Sequence, residues 1–463
     1  MNANSQTKKL LRLPEKYDLV VGDTFELFFK GISLCLNPDV LYYELHFSDG
    51  KSRGNNYTKK YIWTPEAEHI GVHQLDITVR DNFGDVIDTG SVKLNVVDRP
   101  VEPEAERVYL FVGASNNNRG VWSGEAYRRL TAPADTIVSE ADAKASKTMC
   151  DGLANFKSIG SKKKSLGHTD FYYEGYGGWT FKSYTTPCVR HHCFVYVMGD
   201  YTGVKLSQHS FYRDCNDHIW KLESISDTKL KLIAVDEVGG GVDSSCKGLN
   251  IKDDVIPNEG TLHLASAAGA DDAETISYTA CAFAEGNPFW SIEKERNDFR
   301  AYAAKHQVEK IDEVIVNLGW NSHNSTPEVF AEGAKVFIDS VLADFPECHI
   351  SLVSLAIPSR DGVGTNYGTA WNYFEKTAKV FDFQDALIAL ANEEKYRDSV
   401  SFVSVIGQID TDNAYLSKEV PINNRISNTV IMQSNGLHFN ISGYEQQGDA
   451  IYRHLVTRLQ PKN

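Results

Sequence analysis

The chain has 463 residues, 42% hydrophobic and 24% charged, with a formal net charge of -15. That length exceeds a typical single domain, and the balance suits a protein with a sizeable core. The acidic excess argues against a nucleic-acid partner, because little here would neutralise phosphates. No stretch approaches the ~18–20 apolar residues that span a bilayer, so no membrane partner is expected.

In chain order, the opening MNANSQTKKLLRL has no apolar core of a signal peptide. Residues 1–100 then read as short strands: YDLVV, TFELFFKG, VLYYELHF, KKYIWTP, HQLDITVRD and GSVKLNVVD, broken at GDT, NPD, SDGK and DNFGD. About seven short strands in roughly 90 residues is the pattern of an immunoglobulin-like sandwich. DRPVEPEAE, at 98–106, reads as a linker and predicts that the front module folds independently.

From residue 107 to 463 the pattern changes. RVYLFVG, DEVIVNLG, HISLVSLAIP and SFVSVIG are apolar strands, each followed by a helical run, the last being SGYEQQGDAIYRHLVTRL. Strands alternating with helices predict a parallel sheet covered on both faces. Between about 185 and 285 the helical period gives way to CFVYVMGDY, IWKLESISD, TKLKLIAVDEVGGG and GTLHLASAAG, a predicted β-rich insert. The basic run Lys162–Lys164 reads as a solvated loop.

Four points then line up at strand ends: Ser115 in FVGASNNN, Gly178 in EGYGGWTF, Asn321 in LGWNS and His438 in SNGLHFN. A serine nucleophile needs a base for its proton and donors for the oxyanion that follows. His438 is the candidate base. Ser115 N–H, Gly178 N–H and the Asn321 amide are the candidate oxyanion donors. In open parallel sheets the ligand sits beyond the strands' carboxyl ends, where Ser115 and Asn321 fall.

These four blocks resemble those of the SGNH hydrolases, the GDSL-type esterases. FVGAS stands for the Gly-Asp-Ser turn, GYGGWT for the glycine block, LGWN for Gly-x-Asn, and NGLH with its closing helix for the histidine block. A sandwich in front of such a domain resembles proteins of gut bacteria and their phages. The resemblance implies a three-layer, flavodoxin-like α/β domain that hydrolyses a carboxylic ester through an acyl-enzyme, without metal or cofactor. It also implies an acetylated polysaccharide or oligosaccharide as substrate, and action outside the cell. Where the family usually has Asp, this chain has Ala114, Ser322 and Asn435. Asn435 takes the place of the residue that orients the histidine. It could accept from the imidazole, a backbone carbonyl or Asp410 or Asp412 could replace it, or a Ser-His dyad could remain. The rival reading is an inactive glycan-binding or virion structural protein on the same fold.

The eight cysteines are too sparse for a disulfide scaffold. Cys188, Cys193, Cys215 and His218 loosely suit structural zinc, with free cysteines or a disulfide as the alternatives. The oligomeric state is left open by the sequence.

Overall fold

The computed structural model describes residues 9–134, 149–186, 194–235, 238, 259–283, 287–291, 293–360 and 373–461. Two compact units emerge. The first comprises residues 1–177, 310–335 and 347–463; the second comprises 178–309 and 336–346.

Within the first unit, the front region forms two small sheets. Lys16–Val20, Val86–Val97, Gly71–Arg80 and Tyr42–Phe47 make a four-stranded sheet in that order. Its first pair is parallel and the others antiparallel. Phe25–Phe28, Lys60–Trp63 and Asn55–Asn56 make a three-stranded antiparallel sheet. Alternation drives both: in Gly71–Arg80, Leu75, Ile77 and Val79 are buried while the residues between them are not.

The larger sheet of this unit carries six parallel strands, of which Asp170–Gly175 is one and the other five form its main run. Their spatial order is Phe156–Ile159, Arg107–Gly113, Glu313–Asn317, His349–Val353, Val400–Val403. Numbered along the chain that is 2-1-3-4-5, the flavodoxin-like doubly wound order. Asp170–Gly175 pairs with the end of Arg107–Gly113. Lys162–Ser165 then pairs antiparallel with Asp170–Gly175. Lys162–Lys164 is therefore an edge strand and not a loop. Lysines suit that place because charge discourages pairing with another chain.

The Val121–Thr131 and Ile441–Leu459 helices share one core with the sheet around Phe111, Trp122, Ile315 and Ile451. Two further helices, Pro327–Asp344 and Tyr373–Ala391, meet through Phe330 and Phe383, stacked at 4.1 Å.

The linker does not separate the front region from this core. Val20 belongs to the same apolar cluster as Phe111 and Trp122. The Asp23 carboxylate, 6% exposed, accepts from Arg129 and from Arg453, each at 2.6 Å. Tyr17 donates to Ile406 O at 2.8 Å, and Phe28 N–H donates to Gly407 O at 2.6 Å. The expectation of an independent front module is replaced by a shared, partly charged interior. A Pro/Glu-rich composition shows only that a segment is exposed, not that its flanks are unpacked.

The second unit holds a seven-stranded antiparallel sheet. Its order is Thr275–Tyr278, Gly260–Ser266, Phe211–Arg213, Ile219–Ile225, Lys229–Val235, Phe194–Met198, Ala280–Phe283. Tyr212, Trp220, Leu222, Leu232 and Leu262 form its core.

Candidate active site

Arg107–Gly113 ends in a sharp turn, with Ser115–Asn117 forming a short 3-10 segment. No acceptor is recorded for Ser115 N–H among the described residues. The turn is fixed from beneath by the asparagines that follow the serine. Asn117 is fully buried, donates to Glu174 O at 3.0 Å and accepts from Ser123 at 2.6 Å. Asn116 accepts from Ala114 N–H at 3.0 Å and donates to the Asn317 side chain. Asn317 in turn donates to Val353 O and Ser354 O, at 3.1 and 2.7 Å. The two amides thus tie the ends of three parallel strands together, so Asn116 and Asn117 are framework. Gly113 is required by this packing: a Cβ there would sit 2.5 Å from Asn117 Cβ.

His438 arrives from the segment before the last helix. Its Nε2 lies 2.8 Å from Ser115 Oγ, across 323 residues of chain. Burial holds the imidazole below its ordinary value, so it favours the neutral form that can take a proton. The loop carrying it is stitched down on both sides. Ser434 N–H donates to Leu416 O at 2.7 Å, Ser359 N–H to Gly436 O at 3.0 Å, and Asn440 N–H to Ala414 O at 2.9 Å. Asn440 caps the Ile441–Leu459 helix by accepting from Gly443 N–H at 3.0 Å.

Asn435 does not address the ring. Its Oδ1 accepts from the backbone N–H groups of Leu437 and His438, both at 2.9 Å, and so shapes the turn. Asp412 is engaged by Lys30 and Lys59, and Asp410 by Asn413 and the Asp412 N–H. Among the described residues the His438 ring is hydrogen-bonded to Ser115 and pairs with no carboxylate. The described geometry is a dyad.

Asn321 lies on the short Trp320–Ser322 turn, four residues past the end of the neighbouring strand Glu313–Asn317. Gly319 enters that turn at φ +149°, with Leu355 2.9 Å from where a Cβ would stand, so a side chain there is disfavoured twice. Asn317 pairs in register with Gly113, which puts the Ser115 and Asn321 turns at the same end of adjacent strands. Gly178, at φ +81°, opens the second unit three residues past Asp170–Gly175. Trp179 is fully buried against Tyr184 and is a packing residue.

Among the described residues one cluster has metal-ligand character: the ligating atoms of Glu313, His349 and His454 lie within 4.8 Å of one another. They are already bonded within the protein. His454 contacts Asp18 at 3.0 Å, Ser401 at 2.9 Å and Ser351 at 3.1 Å, and Ser351 donates to Glu313 at 2.5 Å. Glu313 and His349 begin their strands, at the opposite end of the sheet from Ser115. Of the zinc candidates, Cys188 and Cys193 lie outside the described residues. Cys215 is a free, exposed thiol, and His218 contacts Asp214 at 3.2 Å.

No family model matches the chain, and no curated protein matches it. Among solved structures, it is similar to a peptidoglycan O-acetylesterase at 13% identity, over 77% of this chain and 92% of that one, with a TM-score of 0.31. It is also similar to a carbohydrate esterase family 2 enzyme with a carbohydrate-binding domain from Corynascus thermopiles (Myceliophthora fergusii). That likeness is 10% identical over 98% of each chain, with a TM-score of 0.26. Both neighbours are esterases.

Proposed function

We propose that the chain is a serine esterase of the SGNH type that removes O-acetyl groups from a glycan. The observation that carries the chemistry is the 2.8 Å contact between Ser115 Oγ and His438 Nε2 at the carboxyl end of a parallel sheet. A neutral imidazole accepting at Nε2 takes the serine proton as Oγ bonds to the ester carbonyl carbon. The resulting imidazolium gives that proton to the leaving sugar oxygen as the C–O bond breaks. Water then repeats the sequence on the acyl-serine and releases acetate.

The oxyanion is assigned to Ser115 N–H and the Asn321 amide; the third donor, Gly178 N–H, rests on the sequence resemblance alone. With no carboxylate behind it among the described residues, His438 forms a less supported imidazolium, so a modest turnover number is expected. We read the front region as an immunoglobulin-like module. Incubation with acetylated xylan, acetylated mannan and O-acetylated peptidoglycan tests the reading. Acetate release from at least one is expected, and release from none of them, nor from p-nitrophenyl acetate, would refute it.

A further inference from the structure

The first unit carries a cleft of about 740 Å³ that the proposed chemistry does not use. Two stretches far apart in sequence build its walls: the front region, through Phe29, Tyr43, Tyr57 and their neighbours, and the loop Asp410–Asn413. Phe29 and Tyr43 stack at 4.5 Å, and the Tyr43 hydroxyl is held 2.7 Å from Ser33 Oγ; both rings are buried, so they form a rigid backing behind this wall. Tyr57 is different. It is 55% exposed, yet its backbone is pinned by a 2.8 Å bond from its N–H to Lys60 O. An exposed ring on a closed turn costs little entropy to stack against.

The charges of the lining indicate what kind of ligand would fit. Three lysines, at 30, 59 and 60, face three aspartates, at 39, 410 and 412. Lys30 and Lys59 both bind Asp412, at 2.5 and 3.2 Å. Lys60 binds Glu26 at 2.5 Å, and Asp39 meets Arg360 at 3.5 Å. A phosphate or polyanion would have to break these pairs to find a cation. A neutral ligand bearing many hydroxyls and flat C–H faces would instead bridge the paired groups and lie on the exposed Tyr57 ring. Those are the properties of a neutral glycan.

The same wall supports the histidine loop. Gln433, 7% exposed, donates to Thr411 O at 2.6 Å and to Asp412 O at 2.9 Å. Asn440 donates to Asn413 O at 2.8 Å. The loop lining the cleft is thereby bonded to the segments on both sides of His438.

We propose that this cleft is a subsite for a neutral glycan chain, separate from the Ser115–His438 pair; its role as a substrate anchor rests on the esterase reading, but the binding itself does not. The test uses the full chain carrying Ser115→Ala, titrated calorimetrically with xylohexaose, mannohexaose, cellohexaose and chitohexaose, and with hexagalacturonate as the anionic control. At least one neutral hexasaccharide should bind. Tyr57→Ala should weaken that binding tenfold or more at unchanged melting temperature, and Tyr57→Phe should retain it. Thr58→Arg, which fills and charges the cleft, is the second variant and should also weaken it.

Binding of none of the neutral sugars would overturn the proposal. So would equal binding by Tyr57→Ala and Thr58→Arg, or binding of hexagalacturonate alone. Turnover of p-nitrophenyl acetate by the unsubstituted chain is measured alongside. Its absence counts against the esterase reading, while the titration decides the cleft.

Discussion

Asp23→Ala tests whether the front region and the parallel-sheet core are one cooperative structure. Asp23 is 6% exposed and accepts from two guanidiniums at 2.6 Å; Arg129 is fully buried and Arg453 is 5% exposed. Arg129 keeps Asp449 at 2.9 Å, and Arg453 keeps Gln408 Oε1 at 3.0 Å and Thr24 O at 2.8 Å. The substitution therefore leaves Arg129 with one carboxylate and the buried Arg453 with neutral acceptors only. Removing one partner of a buried ion pair costs about 3–5 kcal/mol, a large part of the ~5–15 kcal/mol that holds a protein folded.

Urea unfolding followed by tryptophan fluorescence reports on both regions, since Trp63 and Trp122 are both buried. One transition, displaced as a whole, is expected. A change below about 1 kcal/mol, or two separate transitions with only the first displaced, would refute the shared interior. The pH dependence has a defined sign. Burial alone would raise the Asp23 pKa, but Arg129 and Arg453 outweigh it and hold the carboxyl below its ordinary value. Its contribution is present above the unfolded value of ~4 and is lost as pH falls through the lower folded value. A chain starting at Glu104 loses Asp23 and Val20 together and should be insoluble or unfolded, with no acetyl esterase activity in the soluble fraction.

Two further outcomes follow from the histidine loop. Asn435→Ala removes the acceptor of two backbone bonds and should lower kcat by roughly tenfold to a hundredfold, as a 1.4 kcal/mol loss per tenfold implies. Asn435→Asp keeps an acceptor oxygen and should retain most of the activity. An Ala variant as inactive as His438→Ala would show a role beyond shaping the turn. Because burial lowers the His438 pKa, the acidic limb of kcat/KM should fall below the ordinary histidine value of ~6.5. The free base is lost only as pH drops through that lowered value, and Asn435→Asp should move the limb upward; a limb above 7 in the unsubstituted chain would contradict the dyad.

Much of this arrangement was legible in the sequence because it depends on local pattern. Apolar runs such as RVYLFVG and DEVIVNLG mark buried parallel strands, and a small-residue turn after the first strand marks a place for an exposed serine. The contacts that are long in sequence were not legible. FVGASNNN does not disclose that Asn116 reaches Asn317, or that Asn117 spans Glu174 and Ser123. Their only signal was the run of three asparagines, which also suits a cap or a turn. Asp23, Arg129 and Arg453 are ordinary charges in the sequence, and nothing local pairs them across 430 residues. Asn435 stands three residues before His438 in the sequence, but its side-chain partner is a matter of loop conformation, which spacing does not fix.

The most direct measurement is the rate of acetyl ester hydrolysis by Ser115→Ala beside the unsubstituted chain, with fluorophosphonate labelling of both. The account predicts a loss on the order of a thousandfold or more in kcat/KM at unchanged melting temperature, with the label on Ser115 in the parent and absent from the variant. Equal rates, or undiminished labelling of Ser115→Ala, would contradict it and leave Ser115 a turn residue.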